Sequence, residues 1–150
     1  MPETSRELAV MGQAARDILE TMFFATPEEA ATPEPWPARL LTVELRFEGA
    51  MSGDFRIHIE ETCAGAIAGN FTGAMDPAEL DSATTTGVLC ELANMICGAT
   101  LSRLEPDSIF KLGQPRLAQP GLSGDPDAAE QWLRMDEGLI GLQLRVEDNP

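Results

Sequence analysis

With 150 residues, 43% of them hydrophobic and 23% charged, the chain has the balance of one globular domain spanning residues 1–150, long enough to bury about 68–70% of the surface its unfolded form exposes. Ten basic against twenty-five acidic residues leave a net charge of −15, which opposes docking on a phosphate backbone and excludes nucleic acid as a natural partner. No apolar run approaches the roughly 18 residues of a membrane span, and the opening Met-Pro-Glu-Thr-Ser-Arg-Glu lacks the basic-then-apolar order of a secretory signal, so a cytoplasmic protein with no membrane partner is expected.

Thr4-Ser5-Arg6-Glu7 resembles a capping box, and Leu8, Met11, Ala15, Ile18, Leu19, Met22 and Phe23 follow at helical spacing, which predicts a helix over about residues 5–24. Thr26 to Pro37 holds four prolines and three glutamates and reads as an exposed connection. From Leu41 the period changes to two. Leu41, Val43, Leu45 and Phe47 share one face and Thr42, Glu44, Arg46 and Glu48 the other, the pattern of a half-buried strand. After a turn over Gly49 to Gly53, Phe55, Ile57 and Ile59 point inward and Arg56, His58 and Glu60 outward, completing an antiparallel hairpin with one wet face. His58 is thereby expected to be a solvated strand residue.

A short Ala/Gly-rich helix is predicted around residues 62–70. Asp76-Pro77-Ala78-Glu79 then supplies an N-cap, a proline at the first helical position and an acid at the third, so a long helix should begin there. It runs to about Leu104, before Pro106, with Leu89, Leu92, Ile96 and Ala99 on its apolar side. Cys90 and Cys97 lie about 10 Å apart along such a helix, too far for a disulfide, and with Cys63 are expected to fill apolar space. Strands follow near 109–118, where Pro115 and Pro120 argue for an edge or irregular position. Trp132 to Met135, the Asp136-Glu137-Gly138 turn and Leu139 to Val146 read as a closing hairpin, with Ile140, Leu142, Leu144 and Val146 inward. The sum predicts an α+β domain in which helices pack on one face of an antiparallel sheet.

One histidine, and no Cys-x-x-Cys, Gly-x-Gly-x-x-Gly, Walker loop or Gly-x-Ser-x-Gly, leave little support for a histidine triad, a zinc site or a nucleotide cradle. No metal-ligand cluster stands out, so no metal and no cofactor of the chain's own are expected. The informative stretch lies on the long helix, where Thr84, Gly87, Glu91, Asn94 and Gly98 recur at steps of three or four and share the face opposite Leu89, Leu92 and Ile96. A carboxylate and an amide thus point outward together beside glycines that would let a partner approach the backbone closely. Periodicity alone favours a plainer reading, in which Glu91 and Asn94 are ordinary surface residues and the glycines ease packing between helices.

At these residues the chain resembles the CheC, CheX and FliY family of chemotaxis phosphatases. The family signature is a Glu-x-x-Asn pair on a long helix, in a segment like Glu-Leu-Ala-Asn-Met-Ile-x-Gly, and residues 91–98 read Glu-Leu-Ala-Asn-Met-Ile-Cys-Gly. A proline beyond the following strand belongs to the pattern, with Pro115 as its counterpart, and the order of elements resembles CheX along most of the chain. The corresponding place in the first helix reads Glu20-Thr-Met-Phe23, so the resemblance carries one site. Gly87 departs from the Asp or Ser common four residues before the glutamate.

The resemblance implies a phosphatase acting on the aspartyl phosphate of a CheY-like receiver domain, with Asn94 holding the attacking water and Glu91 pairing with the receiver's active-site lysine. Gly87, Gly98 and Pro115 would border the partner surface, and Mg2+ would arrive on the phosphorylated receiver. Two other readings stay open: a non-catalytic module that binds a receiver through the same helix, and a self-association module, since the resemblance also implies a homodimer.

Overall fold

In the computed structural model, which describes residues 2–22, 25–73, 81–118 and 128–147, the chain runs as α1 (Pro2–Met22), β1 (Glu28–Ala30), β2 (Leu40–Glu48), β3 (Gly53–Glu60), α2 (Glu61–Thr72), α3 (Ser82–Leu104), β4 (Lys111–Leu112), β5 (Arg116–Ala118), β6 (Ala129–Met135) and β7 (Gly138–Val146). The strands form one sheet in the order β1-β6-β7-β3-β2-β4, with β5 also on β2, and every pairing is antiparallel. Strand periodicity of two sends Val43, Leu45 and Phe47, Phe55, Ile57 and Ile59, Leu133 and Met135, and Ile140, Leu142 and Leu144 to one face, where all are buried. Met11, Ala15 and Leu19 of α1, Cys63 and Ile67 of α2, and Leu89, Leu92 and Ile96 of α3 close over them in one core. This is the α+β layering expected from the hydrophobic pattern.

Local chemistry explains where the elements depart from expectation. α3 opens at Ser82, where the Asp81 side chain accepts a hydrogen bond from the Thr84 amide at 2.7 Å as the N-cap. The Asp76-to-Glu79 motif lies outside the described residues, as do Phe23, Phe24 and Pro120. Val88, Ala93 and Cys97 join the core side of α3, while Ala99 is half-buried. The strands expected near 109–118, at an edge or irregular position, are two short edge strands on β2, with Leu112 opposite Phe47 and Leu117 opposite Val43. Between them Gly113 still donates to the Arg46 carbonyl at 2.7 Å, whereas Pro115 has no N–H to continue the ladder. β1, inside the stretch read as a connection, is a three-residue edge strand on β6, too short to show a period.

The second face of the sheet corrects the reading of His58. Thr42, His58, Gly141 and Trp132 stand side by side across β2, β3, β7 and β6, and residues 31–39 bring Trp36 to within 4.8 Å of the His58 ring centroid and 5.2 Å of that of Trp132. His58 is 0% exposed. Its Nδ1 lies 2.8 Å from Thr42 Oγ1 and its Nε2 2.8 Å from Gln143 Oε1. Gln143 donates through Nε2 to Glu130 Oε1 at 2.8 Å, so its oxygen accepts from His58 Nε2–H, and the Thr42 hydroxyl donates to Nδ1. Glu130 also accepts from Trp132 Nε1 at 3.0 Å and from Thr32 Oγ1 at 3.2 Å. The rest of this face is wet, as expected, and carries ion pairs from Arg56 and Arg116 to Glu44 and from Arg46 and Arg145 to Asp54.

Burial holds the His58 imidazole below its ordinary pKa of 6.5, aided by Arg56 and opposed by the Gln143 hydrogen bond and the Glu130 charge. A group whose folded pKa is depressed by preferring its neutral form contributes fully above the unfolded value, and that contribution is lost as pH falls below it. Acidification from pH 7 to pH 5 is therefore expected to lower the denaturant midpoint more in the parent protein than in His58→Gln. Both of the chain's tryptophans contact His58, so their fluorescence reports the same transition. Equal pH dependence in the two proteins would show that His58 does not carry it.

Candidate functional site

α3 owes its orientation to its apolar seam. Leu89, Leu92, Ala93, Ile96 and Cys97 are fully buried, and Thr100 joins them by returning its hydroxyl to the Ile96 carbonyl at 2.7 Å. With that seam fixed, helical geometry leaves Thr84, Gly87 and Glu91 exposed and Asn94 and Gly98 half-buried on the far side. Glu91 and Asn94 are about 4.5 Å apart along the axis on neighbouring rows of the same face. Glu91 forms no ion pair among the described residues. Asn94 Oδ1 is shielded from solvent and has no hydrogen-bond partner among them. An acceptor in that condition costs about 1–3 kcal/mol, and rotation about the broad terminal torsion exchanges it for the donor end of the amide.

The two glycines of this face differ. A Cβ on Gly98 would sit 3.8 Å from Leu112 Cδ1, an ordinary contact that places β4 alongside the C-terminal half of α3. A Cβ on Gly87 would meet nothing within 4 Å among the described residues, so packing between helices does not explain that glycine, which costs about 1 kcal/mol relative to alanine in a helix interior. Pro115 is buried in the corner between β4 and β5. Its ring has little surface of its own to offer a partner and instead shapes the corner between the two strands.

The surroundings limit the chemistry available. Burial pushes the Cys63 and Cys97 thiols up to about 12 and raises that of Cys90, beside Glu91, so none is a thiolate nucleophile at neutral pH. No group of three or more His, Cys, Asp or Glu among the described residues is placed to hold a metal ion. The surface hollows lined by Arg6, Met51 and Leu104 and by Glu44, Arg46 and Gly113 lie away from Glu91 and Asn94. No described helix is long and apolar enough to cross a membrane. Sequence reasoning found the Glu91 and Asn94 face but missed the buried cluster around His58, whose signal was the tryptophan at 132 opposite a glycine at 141.

Comparison with known proteins gives a consistent picture. Residues 41–123, which include all of α3, match the family described as chemotaxis phosphatase CheX. No curated protein matches the chain. Among solved structures, the chemotaxis protein CheX from Vibrio vulnificus aligns with a TM-score of 0.76 at 16% identity, covering 94% of this chain and 96% of that one. The CheX in the CheX–CheY–BeF3–Mg2+ complex from Borrelia burgdorferi aligns with a TM-score of 0.74 at 16% identity, covering 93% and 97%. A chemotactic CheC-like protein from Shewanella oneidensis gives 0.71 at 15% identity, covering 95% and 98%. At these identities the structures share the fold.

Proposed function

This chain belongs to the CheX family of chemotaxis phosphatases, and we propose that it hydrolyses the aspartyl phosphate of a CheY-type receiver domain in the cytoplasm, with Asn94 positioning the attacking water and Glu91 docking the receiver. The observation that carries the reading is the pairing of exposed Glu91 with half-buried Asn94 on the side of a helix whose opposite side is locked into the core.

Phosphoryl transfer needs little covalent help from a protein and is accelerated mainly by positioning and charge stabilisation. Water adds to phosphorus as the bond to the aspartyl oxygen breaks, leaving inorganic phosphate and a free carboxylate, and the water's proton leaves through the phosphate. An uncharged amide can both donate to and accept from that water without placing negative charge against the phosphate, which suits Asn94. Glu91, one turn away and free of an ion pair among the described residues, suits a charge-assisted bond to a lysine that the receiver supplies. The magnesium ion belongs to the phosphorylated receiver.

The test is the rate of phosphate loss from a magnesium-bound, phosphorylated CheY-type receiver, alone and with this protein. Acceleration is expected. Tight binding by the folded protein with an unchanged rate would replace the phosphatase with a receiver-binding module.

A further inference from the structure

His58 is fully buried on the side of the sheet that is otherwise wet, where its strand neighbours Arg56 and Glu60 are half-buried. Residues 31–39 make the difference by crossing above it, which brings the Trp36 ring centroid to 4.8 Å from that of His58. The crossing is lightly attached. Pro33, Pro35 and Pro37 have no N–H to give, and among the described residues no backbone-to-backbone hydrogen bond ties 31–38 to the sheet. Its holds are the Trp36 ring against His58 and Trp132, and Thr32 Oγ1 donating to Glu130 Oε2 at 3.2 Å. The strands beneath, by contrast, are joined by continuous ladders.

The closed crossing and a proton compete for one ring. The neutral imidazole is satisfied, with Thr42 donating to Nδ1 and Nε2–H donating to Gln143. Protonation adds an N–H on Nδ1, where the Thr42 hydroxyl already points its own hydrogen, and a charge that no water solvates while the ring is covered. The charged groups around the ring do not replace that water. Arg56 on β3 opposes the charge, Glu44 on β2 is committed to Arg56 and Arg116, and Glu60 on β3 accepts from the Leu139 amide. Glu130 on β6 favours the charge, but it bonds Gln143, Trp132 and Thr32 and not the ring. β7 presents neutral Gly141 and Gln143, and Glu34 and Arg39 of the crossing itself are exposed.

We infer that residues 31–39 are a pH-released strap: on acidification His58 takes up a proton and the segment lifts from the sheet, while the ladders and the helical core stay in place. Linkage is reciprocal, so a strap that excludes the proton is itself loosened by it. Lifting admits water to the ring and uncovers both indoles. Closure requires the neutral imidazole, so it is complete above that group's ordinary value of 6.5 and is lost below it.

The experiment follows acrylamide quenching of tryptophan fluorescence, with far-UV circular dichroism, from pH 8 to pH 4.5 in the full chain, His58→Gln and Thr32→Ala. In the parent the quenching constant should rise severalfold, with its midpoint below the ordinary imidazole value, while the circular dichroism holds. His58→Gln cannot take up the proton and should show no such rise. Thr32→Ala removes a strap hydrogen bond away from the ring, and should move the midpoint upward by about half a pH unit. A flat quenching constant in the parent, an equal rise in His58→Gln, or a rise that coincides with loss of circular dichroism would overturn the inference. Should His58→Gln fail to fold, Thr32→Ala still decides, because an unmoved midpoint there overturns the inference as well.

Discussion

Asn94→Ala is expected to abolish the acceleration of receiver dephosphorylation while leaving the protein's helical spectrum as it was and its melting temperature at or above the parent value. The two halves of this expectation have separate causes. The amide is the one uncharged group on the exposed α3 face beside Glu91 that can orient a water through both donor and acceptor, and a displacement of the nucleophile by about 1 Å can cost about a hundredfold in rate. The fold, by contrast, makes no use of it: Asn94 is half-buried, and its Oδ1 has no partner among the described residues. Truncation removes an unsatisfied acceptor and substitutes a better helix former. Asn94→Asp should be inactive too, since it keeps the shape but turns a negative charge towards the phosphate. Wild-type rates in Asn94→Ala would exclude water positioning by this residue.

Gly141→Val should be among the most damaging single changes to stability, costing about 3 kcal/mol, the upper part of the range for overpacking, and lowering Tm by roughly 6–12 °C at this chain length. A Cβ at 141 would lie 2.7 Å from Trp132 Cη2 and Cζ2. The indole cannot easily retreat. Its Nε1 is bonded to Glu130 at 3.0 Å, Trp36 packs edge-on against it, and the His58 ring lies nearly parallel to it with centroids 6.3 Å apart. The cause can be isolated by placing Gly141→Val in a Trp132→Leu background, where its cost should fall, since interacting positions are non-additive. An equal cost with and without the indole would show that the ring is not what excludes the valine.

The comparison of sequence and structure turns on how far apart the cooperating residues stand. β2, β3 and β7 were legible because each carries its own alternation, and the Glu91 to Gly98 face because a helix brings its members together from within one segment. The start of α3 was placed at Asp76, outside the described residues, whereas the N-cap seen is Asp81, whose side chain accepts from the Thr84 amide and which the sequence reading did not consider. His58 was misread because its neighbours come from four separate segments. Thr42, Gln143, Trp36 and Trp132 are brought to it by strand register and by the 31–39 crossing, and no local pattern records register between distant strands. Pro115 was identified by its place in a motif, but its burial follows from packing against the rest of the fold.

α3 alternates its environments by residue: Leu89, Leu92 and Ile96 are fully buried, while Gly87 before them and Glu91 between them are exposed. Substitutions on the outer side leave the core untouched, so descendants of this chain can change or lose the character of that surface one step at a time without passing through an unfolded ancestor. The buried and the exposed sides of the helix are inherited along the same segment, at interleaved positions, and can diverge at different speeds.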